Sequence, residues 1–198
     1  MSAKPKSALS APALVTASPA DVLDVTIASN RIAANAKDAN PYQVRNSLLL
    51  QKAKARVRYE KGITLPTAAV VLLANANRRE YNHRRTLSRN IVAATSQSRP
   101  ANTCAHHIVA LHDQEAALSR SLLFRWGIGI NDADNGVFLP RTGRGMPGYP
   151  DAVHHTPHHN PTYHLAVYDQ LRDETEAIGG RKSLRSIKGQ LLSGTLSL

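Results

Sequence analysis

Histidines are concentrated in one part of this 198-residue chain. Eight of the nine lie between residues 106 and 164, and only His83 lies outside that interval. Imidazole is the commonest transition-metal ligand, and it is the side chain best suited to accept a proton near neutral pH. We therefore expect this part of the chain to bind a metal ion, to perform acid-base chemistry, or both.

The adjacent pair His106 and His107 suits the hydrolysis of a phosphodiester. Neighbouring residues on a regular strand point to opposite faces, so the two can share a site only where a strand begins or is irregular. One imidazole would then bind metal while the other stays free. In phosphodiester hydrolysis a cation stabilises the charge that gathers on the phosphate, and a neutral imidazole removes a proton from the attacking water.

A second pair, His155 and His159, has the four-residue spacing of metal ligands on a helix. Pro157 lies between them, and Asn160-Pro161 is a typical helix start, so the region is expected to form a turn that leads into a helix. His159 would then lie at the mouth of that helix and His155 in the preceding loop. A histidine-rich loop that binds metal without catalysis is the alternative.

Together these segments resemble a known family. The pattern runs through Ala105-His106-His107-Ile108-Val109, then residues 129–140 (Gly-Ile-Asn-Asp-Ala-Asp-Asn-Gly-Val-Phe-Leu-Pro), then His155, His159, Tyr163 and Val167 at steps of four. Over about residues 84–172 it resembles the AHH nuclease family of the HNH and endonuclease VII superfamily, whose members often occur as bacterial toxin modules. The resemblance implies a mostly helical α+β protein with a ββα-metal (His-Me finger) nuclease core and an N-terminal basic helical region.

The resemblance also implies roles for individual residues. His107 would be the general base, and Asn135 would brace the strand loop against it. His106, His155 and His159 would bind the metal. Tyr163 matches a family aromatic that serves either packing or phosphate contact. Additional histidines beside these positions leave the choice of ligand open: His154, His158 and His164.

The expected cofactor is one divalent metal ion. A ligand set made only of nitrogen favours zinc or nickel, whereas one or two histidines with waters would suit magnesium or manganese. The expected activity is that of a DNA-cleaving, metal-dependent endonuclease, with an RNase of the same fold as an alternative. A non-catalytic zinc module that binds nucleic acid is a further alternative, which the single cysteine, Cys104, disfavours.

The same resemblance implies a bacterial effector. Such a toxin would be delivered by a non-classical secretion route, would act in the cytoplasm of a target cell, and would be restrained in its producer by an immunity protein. The longest apolar run, residues 68–74, is far shorter than the roughly 20 residues that span a bilayer, so a soluble protein is expected.

The net positive charge comes from the first half of the chain. Residues 1–100 contain 16 Lys and Arg against 5 Asp and Glu, while residues 101–198 contain 9 of each kind. A basic first half beside a neutral, histidine-rich half suits a protein that holds a polyanion and cleaves it, although a solvated basic helix has the same composition. The candidate phosphate contacts are Arg78, Arg79, Arg84, Arg85, Arg89, Arg141 and Arg144.

Four regions are expected: a disordered leader at 1–20, a basic helical region at 21–99, the nuclease core at 100–180 and a tail at 181–198. Helix and strand signals predict the elements that position the histidines. They are a helix from Asn40-Pro41 toward Gly62, with a strand over its last part as the alternative, a helix at 68–94, a strand at 107–111, a helix at 113–126, a strand at 137–139, and a helix at 162–178 that Gly179-Gly180 ends.

Overall fold

The computed structural model describes residues 56–78, 81–142, 145–155 and 159–198. Within these residues the chain forms five α-helices and two separate two-stranded antiparallel sheets, which confirms the predicted mostly helical α+β class. In chain order the elements are β1 (Tyr59–Glu60), β2 (Ile63–Thr64), α1 (Ala69–Ala76), α2 (His83–Thr95), β3 (Thr103–His107), α3 (Ala117–Arg125), a 3-10 turn (Ala133–Asn135), β4 (Gly136–Pro140), α4 (Pro161–Arg172) and α5 (Ala177–Leu192).

A β-hairpin replaces the end of the first predicted helix. The helix expected to reach Gly62 is wrong over residues 56–62. Of the strand alternative, only Tyr59–Glu60 forms a strand among the described residues, as β1 paired with β2. The turn places Lys61 at φ 46° and Gly62 at φ 80°. A Cβ on Gly62 would lie 2.1 Å from the Asn90 carbonyl oxygen, so this turn and α2 approach each other closely enough to require glycine. The start of the predicted helix and the predicted leader lie outside the described residues.

The helix predicted over 68–94 is two helices. The first, α1, ends at Ala76 with Asn77 as its C-cap, and α2 begins after Asn82, whose side chain accepts a hydrogen bond from the Arg85 amide at 2.9 Å. Asparagine is a favoured cap because its side chain bonds to free backbone groups. The break lets the two helices pack in different places: α1 against α3, and α2 against β3 and β4.

The sheet that carries the histidine pair is β3 with β4. The strand predicted at 107–111 lies about four residues too late, because Ile108 and Val109 form a bend after β3. Both of their backbone amides donate to Asn135. The Ile108 amide donates to the Asn135 backbone oxygen at 2.9 Å, which continues the pairing register, but the Val109 amide donates to the Asn135 side-chain oxygen at 2.8 Å and so leaves the pairing. The predicted strand at 137–139 is confirmed within β4.

The helices that follow each strand also differ from their predictions. Asp113 accepts a hydrogen bond from the Glu115 amide, as predicted for a cap, but α3 begins only at Ala117. After β4, the start of α4 is confirmed, with Asn160 as its cap and Pro161 as its first residue. This helix ends at Arg172 rather than at 178.

Helix α5 contains the two glycines that were expected to end a helix. Its buried face, Leu184, Ile187 and Leu191, joins the main hydrophobic core, so the region predicted as a tail includes most of a packed helix. Gly180 is buried against Trp126, and a Cβ at this position would lie 2.4 Å from a ring carbon of that side chain. The glycine is there because α5 passes too close to the tryptophan for any larger residue.

Ion pairs join the start of α5 to the 3-10 turn. The Arg181 guanidinium donates to the Asp132 and Asp134 carboxylates at 2.7 to 3.0 Å, and Arg185 donates to Asp134 at 2.8 Å. Asp132 is fully buried, and it also accepts from the Thr64 amide at 2.7 Å and hydroxyl at 2.6 Å. Within the described part of the chain, no helix combines the length and apolar character needed to cross a membrane.

We predict that Gly180→Ala destabilises the protein by about 1–3 kcal/mol, since the added methyl group forces Trp126 or α5 to move. Gly189→Ala is the matched control, because Gly189 is an exposed residue of the same helix and a Cβ added there would meet no atom within 4 Å. It should raise stability by up to about 1 kcal/mol through helix propensity. Chemical denaturation measures both, and equal effects at the two positions would contradict the close contact.

Candidate nuclease active site

The end of β3 presents the two adjacent histidines to different neighbours. His106 pairs with Val137 and His107 with Gly136, the first residue of β4. Consecutive residues of a strand face opposite sides, and accordingly His106 is buried at 2% exposure while His107 is partly exposed. The strand neither begins nor is irregular at the pair, since both residues keep the regular register at the end of β3, so their service of one centre stays a prediction.

His106 meets the later histidine pair. Its ring centroid lies 5.5 Å from that of His155 and 4.9 Å from that of His159. The structure thus brings together three residues predicted to bind metal, although 49 and 53 positions separate the later two from His106 in sequence. Three imidazoles at this separation form a nitrogen-rich cluster at the buried side of the sheet.

The later histidines are positioned by the end of β4 and the start of α4. The His155 amide donates to the Pro140 carbonyl at 2.8 Å, which ties its loop to the last residue of the strand. His159 directly precedes the cap residue Asn160, whose side chain accepts from the Tyr163 amide at 2.7 Å. This confirms the expectation that His159 lies at the mouth of a helix and His155 in the preceding loop. His158 lies outside the described residues.

Tyr163 is a packed residue of the cluster. It is 1% exposed, and its hydroxyl donates to the Ile108 carbonyl at 2.8 Å. Burial raises the pKa of this hydroxyl, so it stays protonated. Its ring lies 4.9 Å from His159 and 6.3 Å from His106, centroid to centroid. Of the two roles left open by the sequence, the geometry therefore favours packing.

Asn135 and the base candidate His107 do not share a side-chain hydrogen bond. The fully buried Asn135 amide accepts from the Val109 amide at 2.8 Å and donates to the Ile130 carbonyl at 2.8 Å, so it braces the loop after β3. The His107 ring instead bonds through Nε2 to the Asn131 side-chain oxygen at 3.0 Å.

Asn131 and its neighbour His83 are the residues that sequence reasoning missed. Asn131 is fully buried and lies between His83 and His107. Asn131 did lie within the segment 129–140 that carried the family resemblance, and His83 was the one histidine outside the cluster. Their contact crosses 48 positions in sequence, which no local pattern reports.

Burial keeps the central imidazoles neutral. It lowers the pKa of His106 well below its usual value, and the nearby His159 and His155 lower it further. Burial also lowers the pKa of His107 to about 4, against the raising effect of its bond to Asn131. The same cause lowers the pKa of His155. Neutral imidazole is the form that binds metal and accepts protons.

The predicted arginines occupy different surroundings. On α2, Arg84, Arg85 and Arg89 are exposed, and the charge of Arg84 contributes to the lowered pKa of His106, His107 and His155. Arg84 therefore lies within electrostatic reach of the histidine cluster.

Two further arginines flank the centre on other segments. Arg141, exposed just after β4, also lowers the pKa of His155. Arg78 packs its guanidinium 5.6 Å from the Tyr81 ring centroid, and its carbonyl contacts His83 at 3.1 Å. Arg79 and Arg144 lie outside the described residues.

A second set of potential ligands lies beside the first. Ligand atoms of Asp113, Glu115 and His164 all lie within 4.8 Å of one another. His164 is buried, with Nε2 3.2 Å from an Asp113 oxygen and its ring centroid 5.3 Å from that of His159. Two carboxylates and one imidazole would suit an ion that prefers oxygen.

Paired strands with adjacent histidines at their end, a buried asparagine before the second strand and a following helix that starts beside two more histidines together form an HNH-like nuclease fold. The family model of AHH, "a nuclease family of the HNH/ENDO VII superfamily with conserved AHH", matches residues 87–191, more than half of the chain. The chain belongs to this family, and the resemblance seen in the sequence is confirmed. No curated protein and no solved structure matches it.

HNH-type nucleases use a divalent metal. His106, His155 and His159 lie close enough for ring contacts, but among the described residues only Asp113, Glu115 and His164 have ligand atoms that all lie within 4.8 Å of one another. The His106 ring is buried, yet its contact with the Tyr163 hydroxyl is long, at 3.5 Å, and that hydroxyl already donates to Ile108. A buried imidazole so weakly bonded to protein is suited to a metal ligand. His106, His155 and His159 would hold the ion, with Asp113, Glu115 and His164 as the competing set.

We predict that His155→Ala or His159→Ala weakens divalent-metal binding by at least about tenfold, because each removes an imidazole from the cluster. His154→Ala is the matched control, since His154 is exposed and adjacent to His155. Isothermal titration with zinc or nickel measures the affinity. If Asp113→Asn abolished binding while His155→Ala left it intact, the ion would belong to the competing set.

Proposed function

We propose that this chain is a metal-dependent endonuclease that cleaves DNA, with His107 as the general base and a single divalent ion held by His106, His155 and His159. The observation that carries the proposal is the separation of tasks between adjacent residues. The buried His106 ring faces the two later histidines, while the His107 ring is turned to Asn131 and is partly exposed. Metal binding and proton transfer therefore do not compete for one imidazole.

In the proposed step, the neutral His107 ring takes a proton from water as the water oxygen forms a bond to phosphorus. The phosphorus bond to the leaving oxygen breaks, and that oxygen leaves with the bonding electron pair and takes up a proton from solvent. The lowered pKa of His107 ensures that its ring is unprotonated before the step, and an approaching phosphate anion raises its affinity for the proton. A bound divalent cation would supply positive charge to offset the charge that gathers on the phosphate.

The direct test is cleavage of supercoiled plasmid by the purified protein after chelation, with single divalent metals added back. Nicking should return with at least one of zinc, nickel, magnesium and manganese, which also names the ion. His107→Ala should lower the rate by about 10²- to 10⁴-fold, the usual contribution of a general base, while circular dichroism shows a native fold. An intact plasmid with every metal, from folded wild-type protein, would contradict a DNase.

Charge near the centre supports a polyanionic substrate. Arg84 on α2 and Arg141 after β4 both act electrostatically on His155, so positive charge flanks the histidine cluster on two segments. These arginines, with Arg78, Arg85 and Arg89, are proposed phosphate contacts, and Arg79 and Arg144 remain candidates from the sequence.

We predict that Arg84→Gln weakens DNA binding more than Arg85→Gln does. Both residues are exposed on α2, but only Arg84 contributes to the lowered pKa values of the site histidines. Fluorescence anisotropy at several salt concentrations should give a shallower salt dependence for Arg84→Gln, by about one counterion. Identical curves for the two variants would remove Arg84 from the DNA interface.

RNA is the second candidate substrate, because the proposed phosphate contacts do not distinguish the sugars. Cleavage of single-stranded RNA with an intact plasmid would favour it. The toxin role, delivery into a target cell, a cognate immunity protein and the division into four regions stay predictions from the sequence. A non-catalytic zinc module would bind nucleic acid in the plasmid assay and leave it uncut.

A further inference from the structure

A series of three hydrogen-bond contacts connects the loop before α2 to His107, the candidate general base. His83 Nε2 lies 3.1 Å from the Arg78 carbonyl oxygen. On the other side of that ring, Nδ1 lies 3.0 Å from the Asn131 amide nitrogen. The Asn131 oxygen lies 3.0 Å from His107 Nε2. Each contact has hydrogen-bond length, so the three bonds connect a backbone carbonyl to His107.

The Arg78 carbonyl fixes which atom donates and which accepts in all three hydrogen bonds. It can only accept, so His83 must carry hydrogen on Nε2. In the neutral ring Nδ1 is then bare and accepts from the nearer atom of the Asn131 amide, its nitrogen. The amide oxygen consequently faces His107 and accepts from Nε2, which must carry hydrogen in turn. The remaining lone pair of neutral His107 is on Nδ1.

The opposite arrangement of donors and acceptors along these hydrogen bonds is disfavoured. Turning the Asn131 amide by half a rotation would place its oxygen against the bare Nδ1 of His83, where two acceptors would meet without a hydrogen. A second proton on His83 would relieve this, but His83 is 5% exposed and burial lowers its pKa, which favours the neutral ring. The order of donors and acceptors therefore follows from one backbone group.

Helix α2 holds this series of hydrogen bonds at two points. It carries His83 at its first turn, and two turns later Asn90 donates to the Asn131 carbonyl oxygen at 2.7 Å. Asn131 is shielded from solvent and held against rotation, since its backbone and its side chain are both bonded within the protein at 0% exposure. Asn131 and Asn135 have different roles, because Asn135 bonds the loop backbone instead.

We propose that Asn131 and His83 are positioning residues that hold His107 in the tautomer with hydrogen on Nε2, which makes Nδ1 the atom that accepts the proton from water. The role in catalysis rests on the proposed function, whereas the tautomer does not. Partners that orient an active imidazole in this way typically contribute about 10- to 100-fold to activity.

The tautomer is read by NMR of the full-length protein with ¹⁵N-labelled histidine, without substrate, because a ring nitrogen that carries hydrogen differs in shift from a bare one. We expect wild-type His107 to carry hydrogen on Nε2 alone. Asn131→Leu should give a mixture of the two tautomers, since leucine of similar size neither accepts nor donates. Hydrogen on Nδ1 of wild-type His107, or an unchanged tautomer in Asn131→Leu, would overturn the proposal.

Kinetics distinguishes positioning from a merely structural role. Asn131→Asp keeps an acceptor for His107 but buries a charge, so it should unfold more easily than Asn131→Leu and yet retain more activity. We expect kcat to fall about 10- to 100-fold in Asn131→Leu with KM unchanged, because a fully buried residue does not touch DNA. Activity that followed stability in both variants would overturn the positioning role.

Asn77→Asp is the matched control, because it makes the same chemical change at an exposed C-cap and should leave kcat and the tautomer unchanged. A wild-type protein that cleaves neither DNA nor RNA would overturn the proposed function. In that event the NMR result still decides whether Asn131 fixes the tautomer of His107.

Discussion

Polar groups that leave water must find partners inside the protein, and the segment from Gly129 to Asn135 is where this constraint organises the fold. Its four polar side chains, Asn131, Asp132, Asp134 and Asn135, are all buried. Each finds hydrogen-bond partners in a different part of the chain. The β-hairpin and α5 bond to Asp132, and α5 also bonds to Asp134. Helix α2 and β3 bond to Asn131, and the loop after β3 bonds to Asn135. The hydrophobic core fills the space between these elements, and this polar segment bonds to each of them around the candidate site.

This organisation explains how a small two-stranded sheet can carry the histidine cluster. An isolated strand pair is marginally stable, and β3 and β4 are held by α2 on one side and by the braced loop on the other. The histidines reach the centre from three places: the end of β3, the loop tied to Pro140, and the residue before α4. Because a hydrogen bond fixes each support, the imidazoles are arranged before any ligand binds, which reduces the entropy lost on binding.

Helix α2 belongs to the basic first half of the chain, yet its role is not limited to charge. One face carries exposed arginines, and the other carries His83, Leu87, Asn90 and Ile91 against β3, β4 and the polar segment. Three of the arginines proposed to contact phosphate and one of the residues proposed to position His107 therefore lie on the same helix. The family model likewise begins inside this helix, at residue 87, and extends to residue 191 in α5. Both helices contact the same polar segment.

Local patterns were enough to identify the candidate histidines and part of the fold from the amino-acid order alone. The histidine pair, the later pair at the start of α4, the cap at Asn160-Pro161 and the strand at 137–139 all depend on periodicity and capping, which neighbouring residues set. Other features arise only from packing in three dimensions. The break between α1 and α2, from Asn77 to Asn82, contains no glycine or proline. The two glycines of α5 do not end that helix, and one of them packs against Trp126. After β3, the Val109 amide bonds to the Asn135 side chain instead of to a strand. The contacts from Asn131 to His83 and His107 cross 48 and 24 positions. They depend on burial and on the match of donors to acceptors in space, which spacing along the chain does not encode.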